Sequence, residues 1–389
     1  MAETSKWREK IANLKDRKAD AQTMGGSDKV TKHHAAGKMD ARQRIASLLQ
    51  GGSFTEVGQL AGGEVDAFVA GIGSLNGRPV AVGCEDFTVK GGSIGRAESA
   101  KRYRIAELAL QERIPLVMLL EGAGHRPPLP DDPPSFRTPG DLQAQADASG
   151  LIPLATAVLG PSAGHGALSA PLADFTVMTK QASIFTAGPP LVKASLGEEV
   201  TKEELGGPEI ALHSGVIHNL ASNDESALEQ IRTWLSYLPS SAWQAPTRLT
   251  DAEGERNVNE ILDIIPENPR QAYDMHDVIH AVVDTESVFT IQPMFGQSLI
   301  TCFARLSGRP VAIVANQPQH MAGSITVEAA DKATQFIQVA DSFHLPLIFL
   351  TDNPGVLAGS SSEKAGILRH AGRMFLAQHH ATVPKIQVT

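Results

Sequence analysis

Leu75-Asn-Gly-Arg-Pro-Val-Ala81 returns as Leu306-Ser-Gly-Arg-Pro-Val-Ala312, a separation of 231 residues. The same separation carries Gly92-Ser93-Ile94 onto Gly323-Ser324-Ile325, Lys101 onto Lys332, and Pro115-Leu116 onto Pro346-Leu347. It also places Gly124 on Gly355 and Pro153 on Pro384. One register held without gaps across unlike local patterns identifies an internal duplication. The shared residues are glycines at strand ends and prolines that open strands, where the backbone leaves least choice of side chain.

Around the first copy, short apolar runs alternate with helical stretches. Strands are predicted at Val80–Gly83, Leu116–Leu120, Ile152–Leu159 and Phe175–Thr179. Between them Ala97–Glu112 has apolar residues at helical spacing and no breaker, so a helix is expected there. Strands alternating with helices point to βαβ units and an α/β fold rather than a β-sandwich. Residues 1–50 read as a polar helical segment broken at Gly25-Gly26 and Gly37, and residues 51–238 as a first domain. The Pro- and polar-rich stretch 239–270 reads as a linker, and 271–389 as a second domain whose α/β pattern resumes at Tyr273. Residues 159–166 of the first copy would map past Thr389. The second domain is therefore expected to be incomplete in a truncated chain, with Val383–Thr389 as a core strand.

The chain has 389 residues, 42% hydrophobic and 20% charged, which suits two or three globular domains. A net charge of −9 with no long basic run argues against nucleic-acid binding. Two distant cysteines, Cys84 and Cys302, give neither a disulfide framework nor a four-Cys zinc site, and suit a reducing compartment. No apolar run is long enough to span a membrane, and the N-terminus lacks a signal-peptide core. A cytoplasmic protein is the expectation.

Three glycine-rich turns follow predicted strands: Gly91-Gly92-Ser93-Ile94-Gly95, Glu121-Gly122-Ala123-Gly124-His125-Arg126 and Gly160–Gly166. Glycine lets backbone N–H groups aim into a cavity, where they can hold an enolate or a tetrahedral oxyanion. Ordinary loop glycines would give the same pattern. Gly160-Pro-Ser162-Ala-Gly164 also fits a nucleophile elbow, with Asp174 and His213 or His218 as triad partners on paper. Gly91-Gly-Ser93-Ile-Gly95 fits that expression equally, so it discriminates little. A hydratase would instead need poised carboxylates; Glu121 and its counterpart Asp352 are candidates, or else loop caps. The histidine pairs His33-His34 and His379-His380 lack a third partner at ligand spacing, so no metal site is expected. Lys38, Arg42 and Arg44 form a basic cluster that could reach a cofactor phosphate or face solvent.

Taken together, the chain resembles the carboxyltransferase (β) subunit of biotin-dependent acyl-CoA carboxylases, the propionyl-CoA carboxylase β type. The resemblance rests on Gly37-Lys-Met-Asp-Ala-Arg-Gln-Arg44, Asp86-Phe-Thr-Val-Lys-Gly-Gly-Ser93, Ala173-Asp-Phe-Thr-Val-Met178 and Glu203-Glu-Leu-Gly-Gly207. Ser214-Gly-Val216, Asn316-Gln-Pro318, Asn353-Pro-Gly355 and Ile367-Leu-Arg-His370 follow in order. It implies two crotonase-like domains in tandem (ClpP/crotonase superfamily), the second incomplete here. It implies acyl-CoA as substrate and biotin carried by a partner, either a biotin carboxylase or a biotin carboxyl carrier subunit. A homo-oligomer built from dimers, a hexamer, is expected. Two backbone oxyanion holes would serve the thioester enolate and the biotin ureido oxygen.

By that resemblance the first hole falls on Gly164, His165 and Gly166, with His165 standing where the family has a second glycine. Coenzyme A would lie near Gly91, Gly92, Ser93, Gly124 and Arg126, with Lys38 and Arg42 near its phosphates. Asn353 and Gly355 would lie on the biotin side. The family usually begins a helix with Arg-Ile-Gln-Glu-Gly where this chain has Arg126-Pro-Pro-Leu-Pro-Asp-Asp-Pro-Pro134. Proline at that density cannot continue a helix, which hints at an unusual acyl group. Carboxyl transfer to the acyl α-carbon is the leading expectation. A biotin-dependent decarboxylase subunit and a non-catalytic assembly subunit are the alternatives.

Overall fold

Leu116-Val-Met-Leu-Leu120 is apolar at every position, the pattern of a parallel strand covered on both faces. In the computed structural model all five side chains are buried. The structure describes residues 2–62, 65–126, 140–250, 254, 257–268 and 270–389. Two compact units divide the chain: Met1–Ala211 with Leu220–Arg232, and Leu212–Asn219 with Thr233–Thr389.

In the first unit three helices lead, α1 (Ala2–Gln22), α2 (Ser27–Ala35) and α3 (Ala41–Leu48). Asp40 and Gln43 form a capping box that starts α3, each side chain bonded to the other's backbone N–H. The sheet then takes β1 (Thr55–Val57), β2 (Phe68–Leu75), β3 (Arg78–Glu85), β4 (Leu116–Leu120) and β5 (Leu154–Val158). Helix α4 (Arg96–Glu112) crosses between β3 and β4, and α5 (Asp141–Ala148) lies between β4 and β5. After β5 come β6 (Pro161–Ala163), α6 (Gly164–Ala167), β7 (Phe175–Thr179), β8 (Ser183–Phe185) and β9 (Asn219–Ala221). The main sheet runs β1-β2-β3-β4-β5-β7-β9, and β6 pairs with β8 in a small second layer. β1, β2 and β3 are antiparallel, whereas β3, β4, β5 and β7 run parallel. The predicted strands and the α4 helix are present. β2 escaped the sequence reading because Gly71 and Gly73 interrupt its apolar run.

The second unit holds α7 (Met275–Val282), β10 (Phe289–Ile291), β11 (Leu299–Leu306), β12 (Arg309–Asn316) and α8 (Val327–Ser342). β13 (Leu347–Leu350), α9 (Ile367–His380) and β14 (Lys385–Val388) complete it. The strand order is β10-β11-β12-β13-β14, around a core that includes Ile279, Cys302 and Ile313. The duplication holds residue by residue. Ala81 faces Leu116 and Ala312 faces Leu347; Leu116 faces Leu154 and Leu347 faces Lys385. Even the isolated bridge Ile94–His125 recurs as Ile325–Val356. The edge strand slips: Ile72 faces Thr55, but its counterpart Phe303 faces Phe289.

Of Val383–Thr389, expected as a core strand, Val383 is buried, but the strand itself, Lys385–Val388, is exposed, with Ile386 56% and Val388 57% accessible. Its counterpart β5 is buried because it lies between β4 and β7, whereas β14 pairs with β13 alone among the described strands. Within 239–270 the described residues form one short helix, Ile261–Ile264. Both cysteines are free and buried. No helix among the described residues is long and apolar enough to cross a membrane. The proline-rich 127–134 lies outside the described residues.

Candidate active site

Because β3, β4 and β5 are parallel, their C-terminal ends share one edge of the sheet, and each leads into a glycine turn. The turns bond to one another. Ala123 N donates to Gly91 O at 3.1 Å, Ile94 N to Gly124 O at 2.8 Å, and Arg126 N to Ile94 O at 2.8 Å. Ala163 N donates to Gly122 O at 2.9 Å, which brings the turn after β5 into the same layer. Gly92 makes this packing possible: at φ +65°, a Cβ there would meet Glu121 O at 2.1 Å.

Gly164 opens α6 at φ +60°. The amides of Gly164, His165 and Gly166 thereby fall in a first helical turn, where N–H groups have no partner within the helix. Amides so placed can receive a developing oxyanion.

A buried ionic chain fixes this turn from below. His165 Nε2 lies 2.5 Å from Asp141 Oδ1, and Asp141 Oδ2 accepts from Arg102 Nε at 2.8 Å. The fully buried Arg102 also donates to Glu85 Oε1 and to Ser169 Oγ, both at 2.9 Å. Glu85 Oε2 accepts from Glu121 N at 2.8 Å, so the chain ends at the turn after β4. Burial pushes the Asp141 carboxyl up, but the His165 hydrogen bond and the Arg102 charge outweigh it and hold the group at about 2. Glu85 is raised, since its burial outweighs Arg102. The His125 ring meets His165 edge-on at 4.4 Å; burial first, and then the His165 charge, lowers its pKa.

The structure gathers Gly91, Gly92, Ser93, Gly124, Arg126 and Gly164–Gly166 along this edge. Ser93 Oγ is turned back onto Lys90 O at 2.7 Å, and Arg126 Nη2 lies 2.6 Å from Glu98 at the start of α4. Lys38 and Arg44 meet Glu121, each at 2.6 Å, and Arg44 also meets Asp224 at 2.8 Å. Arg42 lies apart, bonded to Glu56 at 2.9 Å. The basic cluster is thus already balanced by carboxylates.

Ser162 is buried, with Oγ directed to Gly160 O at 3.3 Å. Asp174 accepts from Leu154 N, at the opposite end of β5 from Ser162. A five-residue strand separates them by roughly 16 Å, so the paper triad does not assemble. His218 is buried in the second unit, hydrogen-bonded to Gln335.

In the second copy Asn353 Nδ2 donates to Asn316 Oδ1 at 2.9 Å, and Asn353 Oδ1 accepts from Gly355 N at 2.7 Å. Asn316 and Asn353 line an open groove of about 480 Å³ with Phe349, Thr351 and Gln387. One charged side chain, Lys385, lines it, and its ammonium already bonds the carbonyls of Gln378, His379 and Ala381. The Asp141–Arg102–Glu85 chain was not legible in sequence, because an Arg on a helix and two isolated acids carry no spacing signal. Among the described residues no group of three His, Cys, Asp or Glu could hold a metal ion.

The sequence matches the carboxyl transferase domain over residues 32–389. The chain belongs to the carboxyl transferase family. It is 38% identical to the methylmalonyl-CoA decarboxylase subunit alpha of Veillonella parvula, over 98% of this chain and 77% of that protein. It is 37% identical to the propionyl-CoA carboxylase carboxyltransferase subunit of Haloferax mediterranei, over 98% and 76%. A transcarboxylase 12S hexamer, crystallised with methylmalonyl-coenzyme A bound, superposes with a TM-score of 0.90 at 35% identity, over 98% of this chain and 77% of that one. The tandem α/β units are therefore the crotonase-like pair of a carboxyl transferase, and carboxyl transfer is the role of the chain.

Proposed function

We propose that this carboxyl transferase moves a carboxyl group from carboxybiotin to the α-carbon of an acyl-CoA, with propionyl-CoA as the first substrate to test. The observation that carries the reading is the turn at Gly164–Gly166: three first-turn amides on a rigid ionic base, with the neighbouring Ser162 buried and turned away. The thioester oxygen would sit against these amides. The α-proton would pass to the ureido anion left on biotin when its carboxyl group departs as CO₂; charge would then grow on the thioester oxygen, and each preorganised donor contributes about 3 kcal/mol to the barrier reduction. Glu85 and Glu121 are engaged with Arg102, Lys38 and Arg44, so neither is poised as a base. His165 would position the amides through Asp141. Coenzyme A would run along Gly91, Gly92, Ser93, Gly124 and Arg126, with Lys38 and Arg42 contributing less because carboxylates already meet their charges.

Biotin, carried on a partner subunit, would supply the activated carboxyl group. The groove holding Asn353 fits an uncharged ureido ring, since its one lining ammonium is satisfied by backbone carbonyls. Asn353 and Gly355 would shape that wall. A hexamer of this chain, working with a biotin carboxylase or carrier in the cytoplasm, belongs to the same reading.

The test incubates the purified chain with carboxyl-labelled methylmalonyl-CoA and free biotin, which runs the transfer in reverse. Label should pass to biotin, and Ser162→Ala should keep most of that activity. Release of free CoA without transfer, abolished by Ser162→Ala, would overturn the reading in favour of a hydrolase. The Veillonella relative favours a second reading, a decarboxylase subunit working towards the biotin carrier. A forward-to-reverse rate ratio well below one would favour it.

A further inference from the structure

The two copies differ in how they treat three ion pairs of the first, of which Glu85–Arg102 and Asp66–Lys101 are buried and Glu98–Arg126 is half-buried. Glu85–Arg102, at 2.9 Å, becomes Asn316 and Ala333, and Glu98–Arg126, at 2.6 Å, becomes Ala329 and Leu357. Both ends went together in each case. The third pair behaves differently. Lys101 Nζ lies 2.9 and 3.1 Å from the two oxygens of Asp66 and also reaches Phe68 O. In the second copy the lysine stays, as Lys332, while Asp66 gives way to Gln297. The register there is secure: Asp86 N bonds Ala67 O as Gln317 N bonds Ser298 O, at 2.8 and 2.9 Å.

Deleting both ends of a buried pair can be nearly neutral, but deleting one leaves a charge that is costly to keep. Lys332 is 2% exposed, and its one bond among the described residues is to Gln292 O at 3.2 Å. Burial alone lowers its pKa to about 7. Beside it is a cavity of about 50 Å³, lined by Lys332, Gln297 and Leu299, the counterparts of Lys101, Asp66 and Phe68, and by His276, Gln317 and Thr301. His320 also borders it; of the two histidines, His276 is paired with Asp274 at 2.8 Å. A volume near 50 Å³ exceeds what one water needs and suits a group of three or four heavy atoms.

We propose that this cavity is a binding site for a small carboxylate or bicarbonate ion, which pairs with Lys332 as the Asp66 carboxylate pairs with Lys101. The site lies within the second unit and is independent of the carboxyl-transfer reading. Gln297 supplies no charge; it is exposed, with its amide 3.9 Å from Met294 Sδ. Thr301 donates its hydroxyl to Ile291 O at 2.8 Å and Gln317 its amide to Asp274 at 2.7 Å, so the Lys332 ammonium is the group that would hold the anion.

The test is the thermal midpoint of the full chain in sodium bicarbonate, acetate or chloride at matched ionic strength. Wild type should gain about 3 °C at tenfold the dissociation constant of bicarbonate or acetate over chloride. Lys332→Met should lose that response. Gln297→Asp, which rebuilds the first copy's pair, should have a higher midpoint in chloride and no further gain. A response to bicarbonate alone supports an inorganic-carbon site, and a response to both anions a general carboxylate site. No anion-specific gain in wild type, or a gain retained in Gln297→Asp, overturns the proposal.

Discussion

His165 Nε2 and Asp141 Oδ1 stand 2.5 Å apart, and that contact joins the amide turn of Gly164–Gly166 to the buried guanidinium of Arg102. The resemblance leads one to expect glycine at position 165; the imidazole that stands there makes the turn one end of an ionic strut.

Asp141→Asn should destabilise the chain by about 3 kcal/mol at neutral pH, since it leaves Arg102 and His165 each short of a charge. The sign of the pH dependence follows from a carboxyl held at about 2 in the fold. A depressed carboxyl contributes stability that is complete above its unfolded pKa of about 3.9. That contribution fades as pH falls through about 2. Urea midpoints of wild type and variant should therefore converge over this acid range. A constant separation would mean that the carboxylate charge is not what matters.

His165→Ala should lower kcat for carboxyl exchange about tenfold with KM changed less than about twofold, because the amides remain but drift. A matching rise in KM would assign the imidazole to substrate binding instead.

Gly91 and Gly92 share a left-handed backbone, at φ +66° and +65°, but differ in space. A Cβ at Gly91 meets nothing within 4 Å, and the second copy already carries Ala322 there at φ +53°. Gly91→Ala should cost about 1 kcal/mol and Gly92→Ala more than about 3 kcal/mol. Chemical denaturation of the two variants measures this; equal costs would refute the account of the turn.

Burial raises the Asp174 carboxyl to about 7. A raised carboxyl has its full stability below the unfolded pKa and loses it as pH climbs through the folded value. Asp174→Asn, which keeps an oxygen for Leu154 N, should match wild type near pH 3, below the unfolded value, and exceed it by about 4 kcal/mol near pH 8. Equal stability at both pH values would place the carboxyl nearer its ordinary range.

Backbone-determined features were legible in the sequence. The register of the copies, the β4 and β7 strands and the α4 helix follow from glycines, prolines and apolar period alone. The glycine turns at 91–95, 121–126 and 160–166 were found for the same reason, since their geometry admits few residues. What stayed hidden depends on pairs distant in the chain. Arg102 and Glu85 are 17 residues apart and Arg102 and Asp141 are 39 apart, and no periodicity links them. The pairing of the Lys38–Arg42–Arg44 cluster was hidden for the same reason: its carboxylate partners Glu56, Glu121 and Asp224 lie farther along the sequence. Val383–Thr389 carries the composition of a core strand, and composition does not reveal which neighbours a strand has.

The gap-free correspondence between β2–β4 and β11–β13 gives the chain an internal calibrant. A perturbation at Lys101 can be read against Lys332 in the same molecule, buffer and temperature. Differences in solution conditions, which cloud comparisons between separate proteins, drop out of such a measurement. Labelled lysines in one sample would thus report both halves of the experiment that divergence after duplication has already run.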